Sequence, residues 1–547
     1  MKQTLVVACL LASQLSSADS LDKFAADFWQ WRANEQPVTT DDIPRLDRPS
    51  GWAPDWSSDT LARYRKQLSE FEQRLQAVDV KAEPVAVRVD YRLMQSAVAR
   101  VRWELEVLHS PERNPAFYVD QTLGALLLML LGPPPFTAER GKQILVILDS
   151  IPATISNAER NLADPRAPFA QIAISQLTDC KVRLQASVSA LKLLLSADAA
   201  AKLDASASRA TQALESYSQW LTNHLPNMVK ETAVGRDGYL FFLENVALLP
   251  YSPEELLAIG RQEWARAVTS QILEEHHNEG VPALRMFANE QEQMEREVAD
   301  EAAVRKFLGF KKILTVSDSV AHYRFAPMPE YLKPLADLGE ADDFTSPSRL
   351  DQNGIRYIDP PSPKLGYFAR AMAMDPRTLI VHEGVPGHYF QLVLSWMNPD
   401  PIRRHYYDSC ANEGIGYYAE EMMLNAGLFD NSPRSREIIW NFMRLRALRV
   451  EVDVKLATGQ FTLQQAADYL AASVPMDRET ATAEASFFSA SPGQAISYLI
   501  GKVQIQELLA DYQRRQGERF NLQAFHDFLW KNGNVPIALQ REELLER

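Results

Sequence analysis

The stretch Val381-His382-Glu383-Gly384-Val385-Pro386-Gly387-His388-Tyr389-Phe390-Gln391 concentrates groups that can do chemistry, including two of the chain's nine histidines. A His–Glu pair followed by a second His is the pattern of a zinc hydrolase: two imidazoles hold the ion and the Glu activates its water. In the short form of that pattern the histidines stand four apart and share one helix face. Here they stand six apart, which on a straight helix separates them by roughly 120°. Pro386 also lacks the N–H that would bond back to the carbonyl of His382. The spacing therefore predicts a bulge or break between Gly384 and Gly387, which those glycines permit. After such a break His388 can swing back beside His382. The competing reading is a Gly/Pro turn with two incidental histidines, and spacing alone leaves both open.

Three further segments follow in order: Asn412-Glu413-Gly414-Ile415-Gly416-Tyr417-Tyr418-Ala419-Glu420-Glu421, then PGQAISYLIG from Pro492 to Gly501, then FHDFLWKNGNVPI from Phe525 to Ile537. Together with HEGVPGHYFQ they resemble the motifs of the bacterial family known as domain of unknown function 885. That family carries HExxPGHHxQ, an EGWALYAE-like segment, PGQALSYxIG and FHDxxLxxGxVPL. The helical N-terminal half is similar to the family more diffusely, so the resemblance covers nearly the whole chain. The family is similar in layout to the gluzincin peptidases, carboxypeptidase Taq and the thimet-type oligopeptidases among them. The resemblance implies one zinc ion per chain, held by His382, His388 and Glu413, with Glu383 as general base.

A Glu413 carboxylate would reduce the charge of a site with two neutral imidazoles and leave a fourth position for water. The plain alternative is an acid placed near a helix start by the helix dipole. Glu420 lies seven residues on, hence on the same face, and is the expected partner of a histidine N–H. A surface ion pair is its competing role. Gly414 and Gly416 are expected to let this helix approach the motif closely. Tyr498 is the candidate oxyanion donor, with Tyr389, Tyr417 and Tyr418 competing for the role or serving as core. His405 is a candidate substrate or oxyanion contact, whereas His526 reads as a structural histidine buttressing the C-terminal helix.

Departures from the family pattern bear on the substrate. Tyr389 replaces the second His of PGHH, Phe487-Phe488 replace an Arg-Tyr pair, and Ala457 replaces a His in a D-x-x-L-H segment. The implied metal set is intact, but recognition of a substrate carboxylate by the missing Arg is in doubt, so carboxypeptidase action is not inferred.

The 547 residues that must position these groups exceed one minimal core. Hydrophobic residues make up 46% and charged residues 23%, as in ordinary globular proteins. A net charge of −14 argues against nucleic acid and anionic membranes as partners. Met1-Lys2, an apolar run from Leu5 to Ala12 and Ser16-Ser17-Ala18 read as a secretory leader cleaved after Ala18. That implies a secreted or periplasmic protein. Val6-Val7-Ala8-Cys9 is similar to a lipoprotein box, but too little apolar sequence precedes Cys9 for lipid anchoring. The remaining cysteines, Cys180 and Cys410, could pair in an oxidising compartment, but their separation in the chain favours independent buried residues. The most apolar later run, Leu123 to Leu131, is too short to span a membrane.

Leu61, Tyr64, Leu68, Phe71 and Leu75 recur at helical spacing and mark one buried stripe. Pro37 to Pro54 reads as a connection. Gly132-Pro133-Pro134-Pro135 is expected to stop a Leu-rich helix and Thr137-x-Glu139 to restart one. Ser252-Pro253-Glu254-Glu255 and Thr462-Leu463-Gln464-Gln465 read as capping boxes, the first opening a helix to about His277. His276 and His277 read as surface residues. Arg356-Tyr357-Ile358 and Leu365-Gly366-Tyr367-Phe368 are the expected strands, next to the metal motif, where an edge strand can hold an extended peptide.

The expected fold is mainly α, a large two-lobed helical metallopeptidase-like fold with a small β element beside the metal-site helix. Residues 1–18 form the leader, 19–230 an N-terminal helical lobe and 231–547 a zinc-binding catalytic lobe, with a hinge in Met228 to Leu240. The leading functional reading is a zinc peptidase acting on short peptides in a cleft between the lobes. A zinc amidase or hydrolase of a non-peptide amide, and a catalytically silent helical binding protein, are the alternatives. No serine-hydrolase elbow, Walker loop or dinucleotide fingerprint is present.

Overall fold

A computed structural model describes residues 17–39 and 46–546. The expected leader, including Cys9, lies outside the described residues except for Ser17 and Ala18. The chain is mainly helical, with one small mixed sheet of three strands among the described residues.

The helices start and stop where local chemistry dictates. Ser58–Gln76 buries Leu61, Tyr64, Leu68, Phe71 and Leu75 along one stripe, as their spacing requires. Ala125–Leu131 ends at Gly132, and Thr137 caps Ala138–Asn161 by accepting the Arg140 N–H. Ser252 and Glu255 form a complete capping box on Pro253–His277, and Thr462 and Gln465 form another on Leu463–Ser473. His276 and His277 are exposed at the end of their helix.

Two large apolar cores divide most of the chain. The first is built mainly from residues before Met228 and includes Cys180. The second begins with Trp103 and Tyr239, runs through the motif residues and includes Cys410. Both cysteines are free and buried, and they sit in different cores. In the second core, Pro253–His277 packs along Pro433–Ala457, with Gly260 against Val450. Ser409–Ala426 packs along Gln494–Gln516.

The sheet corrects one expectation. Its strands are β1 (Tyr323–Pro327), β2 (Asp342–Asp343) and β3 (Gly354–Ile358), in the order β1-β3-β2. β1 runs parallel to β3 and β2 antiparallel to it. Arg356-Tyr357-Ile358 is thus a strand, but it is the central one, with both edges occupied. Leu365 to Phe368 is not a strand. Gly366 precedes the helix Tyr367–Met372, and the Tyr367 N–H donates to Asp477 Oδ2 at 3.2 Å. The aromatic pair suggested β-structure, but this capped helix start decides the local fold.

Candidate metal centre

The motif segment breaks as its glycines and proline require. Ile380–Gly384 is a π-turn, Val385 to Gly387 bend away with a cis Val385–Pro386 bond, and His388–Trp396 resumes as α-helix. A Cβ on Gly387 would stand 1.7 Å from the His382 carbonyl oxygen, so only glycine allows the chain to turn back this tightly. Trp530 fixes the bend by donating its indole N–H to the Pro386 carbonyl at 2.6 Å. The two imidazoles, six residues apart, come to a ring separation of 4.6 Å.

Glu413 reaches them from Ser409–Ala426. Its Oε2 lies 3.1 Å from His388 Nε2 and 3.6 Å from His382 Nε2. The three residues are buried, with ligand atoms that all lie within 4.8 Å of one another, and this group can hold a metal ion. Two imidazole nitrogens and one carboxylate suit a borderline divalent ion such as zinc. Gly416 makes room for them: a Cβ there would stand 2.9 Å from His388 Cε1 and 3.0 Å from His382 Cε1. Gly414 acts elsewhere than expected. Its missing side chain faces Gly501 of Gln494–Gln516, whose Cα would lie 2.6 Å from a Cβ, and the two backbones cross there.

Buried charges of both signs surround the two histidines. Glu420, fully buried, brings Oε1 to 2.7 Å from His382 Nδ1 and 2.8 Å from an Arg446 nitrogen. The approach is close but off the line of a hydrogen bond, so it acts as an ion-pair contact. Burial and Arg446 press the His382 pKa down, yet Glu413 and Glu420 outweigh them and raise it to about 9. Burial pushes Glu413 up, but the two histidines hold its carboxyl well below the usual carboxylate range. Glu420 contacts His382 at Nδ1 and Glu413 faces it at Nε2, so a divalent ion between His382 and Glu413 would have to displace a proton from Nε2.

The other motif residues brace the site. Gln494 donates to Glu413 Oε1 at 3.4 Å. Gln391 accepts from Asn412 and from Asn534, at 3.2 Å and 3.0 Å, so three motif segments meet on one buried amide. His526 donates from Nδ1 to the Ile313 carbonyl and accepts the Tyr418 hydroxyl at Nε2, a structural role as its sequence context implies.

These groups open onto a cavity of about 1490 Å³ whose lining includes His382, Glu383, His388, Glu413 and Tyr498. Glu383 stands 4.0 Å from His388 Nε2. The Tyr498 ring lies parallel to His382 at 6.3 Å, with the Arg449 guanidinium 4.5 Å from its centre. The competing tyrosines are turned elsewhere. Tyr389 donates to the Gln352 carbonyl, Tyr417 to the Met443 carbonyl and Tyr418 to His526, and none of the three lines the cavity. His405 lines the cavity beside Trp29 but is not part of the His–His–Glu group. Phe487 and Phe488 form part of the wall, and Ala457 is core.

Sequence reasoning missed Arg446, Arg449 and Asp453. Asp453 accepts the Gly493, Ala495 and Ile496 N–H groups and the Tyr239 hydroxyl, anchoring the start of the Tyr498 helix. Arg449 pairs with Glu484. The available signal was polar spacing: 446, 449 and 453 recur at three and four residues within an otherwise apolar stretch.

Residues 45–544 match a family described as bacterial protein of unknown function, number 885, and the chain belongs to that family. No curated protein matches it. Two solved structures share its fold. One, from Shewanella oneidensis, is described as a candidate lipoprotein of unknown function; it is 17% identical, with a TM-score of 0.72 over 97% of this chain and 100% of that one. The other, a candidate lipoprotein from Colwellia psychrerythraea, is also 17% identical, with a TM-score of 0.78 over 97% and 99%.

Proposed function

We propose that this member of the family is a secreted or periplasmic zinc-dependent peptidase that hydrolyses short peptides in a cavity between lobes 19–230 and 231–547. The observation that carries the reading is the convergence of His382, His388 and Glu413 on one point of the cavity wall, with Glu383 beside them. The arrangement resembles the gluzincin layout of two histidines and a downstream glutamate.

In this reading His382 and His388 hold zinc through Nε2 and Glu413 through Oε2. A bound ion would supply Lewis-acid chemistry to a water and to the scissile carbonyl. Glu383 takes the proton of the attacking water on a carboxylate oxygen and delivers it to the leaving amine. Tyr498 donates its O–H to the carbonyl oxygen as negative charge builds there. Glu420 and Arg446 orient His382, and Gln494 orients Glu413. The edge that receives an extended substrate is that of β2, because of the two edge strands only β2 lines the cavity, through Asp342. Glu340, Asp342 and Phe344 along this edge line the cavity, and backbone pairing there fixes a peptide without reading its side chains.

The test is mass-spectrometric profiling of a defined library of short peptides with zinc-loaded wild type and Glu383→Gln. Cleavage by wild type that falls at least about 10²-fold in the variant is expected. No cleavage of any peptide by the zinc-loaded protein overturns the peptidase reading.

A further inference from the structure

Four π-turns occur among the described residues: Trp103–Val107, Asp120–Gly124, Phe242–Val246 and Ile380–Gly384. All four send side chains to the same cavity. They contribute Trp103, Glu104 and Leu105; Asp120; Phe242; and His382 and Glu383. A π-turn adds one residue to a helical turn, which re-aims the side chains around it, and such turns recur at functional sites. The turn at Ile380–Gly384 presents the metal motif, and those at 103 and 242 present apolar wall together with Glu104, which pairs with Arg32. Asp120 is left without a task.

Its surroundings make that notable. Several other charges on the cavity wall are matched: Arg32 with Glu104 at 2.9 Å, Arg449 with Glu484, Asp342 with Arg356. Among the described residues no hydrogen bond or ion pair reaches the Asp120 carboxyl. The side chain is only partly covered, and its remaining surface opens on the cavity. Neighbouring wall residues include Val38, Trp56 and Phe117. Among the described residues no cation offsets it, and burial pushes the carboxyl up to about 8. An unmatched carboxyl in an apolar wall is costly unless something brings it a partner. The Asp120–Gly124 turn also packs against Lys333–Leu338, the segment that leads into β2.

We propose that Asp120 is the anchor of a subsite for a protonated amine, an amino terminus or a basic side chain, on a ligand lying along the β2 side of the cavity. The peptide nature of that ligand rests on the function proposed above; the amine subsite itself does not. An ammonium group entering the cavity finds in Asp120 a wall carboxyl that no hydrogen bond or ion pair from the described residues occupies. The pair then forms against a wall that covers part of the carboxyl, where a charge-assisted hydrogen bond is stronger than in bulk water.

The subsite is tested by calorimetric binding to the full chain carrying Glu383→Gln, which suppresses hydrolysis. The probes are tetra-alanine amide, its N-acetylated form, an N-acetylated tri-alanyl-lysine amide, and butylamine alone. Tetra-alanine amide should bind at least about tenfold more tightly than its acetylated form. Adding Asp120→Asn should remove that preference while leaving affinity for the acetylated peptide unchanged. Tight binding of the acetylated lysine peptide assigns the subsite to a basic side chain; weak binding assigns it to an amino terminus. If butylamine binds in an Asp120-dependent way and no peptide does, the subsite stands and the peptidase reading falls. A preference that survives Asp120→Asn, or no probe showing one, overturns the proposal. Thermal unfolding accompanies each variant, and Asp120→Asn should melt no lower than its parent, because it removes a partly covered acid that no described residue pairs.

Discussion

The imidazoles of His382 and His388 rest on Gly416, so one added methyl group at that position tests the metal site without touching a ligand. In Gly416→Ala the new Cβ would meet His388 Cε1 at 2.9 Å, His382 Cε1 at 3.0 Å and His382 Nδ1 at 3.1 Å. Ordinary contacts begin near 3.5 Å, so both rings must retreat by about 0.5 Å. Metal–ligand distances tolerate only about 0.2 Å. Both rings move, away from Glu413's helix, and the site cannot close by adjusting one partner. Zinc affinity should fall by roughly 10- to 100-fold, the range seen when supports of metal ligands are lost. The metal-free fold should change little. Alanine gains up to about 1 kcal/mol over glycine inside a helix, against an overpacking cost of about 1–3 kcal/mol. Gly414→Ala provides the contrast, because its Cβ would strike the Gly501 backbone at 2.6 Å, which cannot rotate aside. That variant should lose about 3 kcal/mol or more of stability. Competition against a calibrated zinc chelator, paired with unfolding of metal-free protein, reads both quantities. Wild-type zinc affinity in a folded Gly416→Ala would refute the reasoning.

Two further outcomes follow from side chains around the site. Tyr498→Phe should lower kcat by roughly 10²-fold with little change in KM; steady-state kinetics with an unchanged kcat would return Tyr498 to a packing role. Burial lowers the His526 pKa to about 4, against an ordinary value of 6.5. Its contribution to stability is full above about pH 6.5 and is lost as pH falls from there to about 4, because only the unfolded chain takes up the proton in that window. The loss is on the order of 3 kcal/mol, and denaturant unfolding at stepped pH should show the slope flattened in His526→Gln. An unaltered slope would place the titrating group elsewhere.

Much of this arrangement was legible because it rests on local rules. Ser252 with Glu255, and Thr462 with Gln465, announce helix starts by side chains alone, and Leu61 to Leu75 announce a buried face by spacing. The break at Pro386 followed from a missing N–H, and with it the return of His388 toward His382. Groups set by tertiary crossings were less legible. Gly414 serves a contact with Gly501, 87 residues away in the chain, and nothing near it in sequence names that partner. The short strands β1 and β2 are held by pairing to β3 rather than by an alternating pattern of their own. Tyr367 and Phe368 carry strand propensity, yet Asp477, far along the chain, accepts the N–H that starts their helix. Arg446 and Arg449 look like solvent-facing charges in a one-dimensional reading, and only the packing of Pro433–Ala457 beside the motif turns them inward.

The central claim divides two neighbouring tasks between two glutamates, holding an ion and moving a proton. The most direct measurement is peptide turnover by Glu383→Gln and Glu413→Gln, titrated with zinc from stoichiometric amounts to excess, with bound zinc measured in the same samples. Glu383→Gln should hold about one zinc per chain and stay at least about 10²-fold slow at every zinc concentration, because an amide cannot take the proton. Glu413→Gln should bind zinc weakly and recover part of its turnover as zinc is raised, because a neutral amide is a poor ligand for the ion. Recovery of Glu383→Gln by zinc, or full zinc occupancy in Glu413→Gln, would contradict the account.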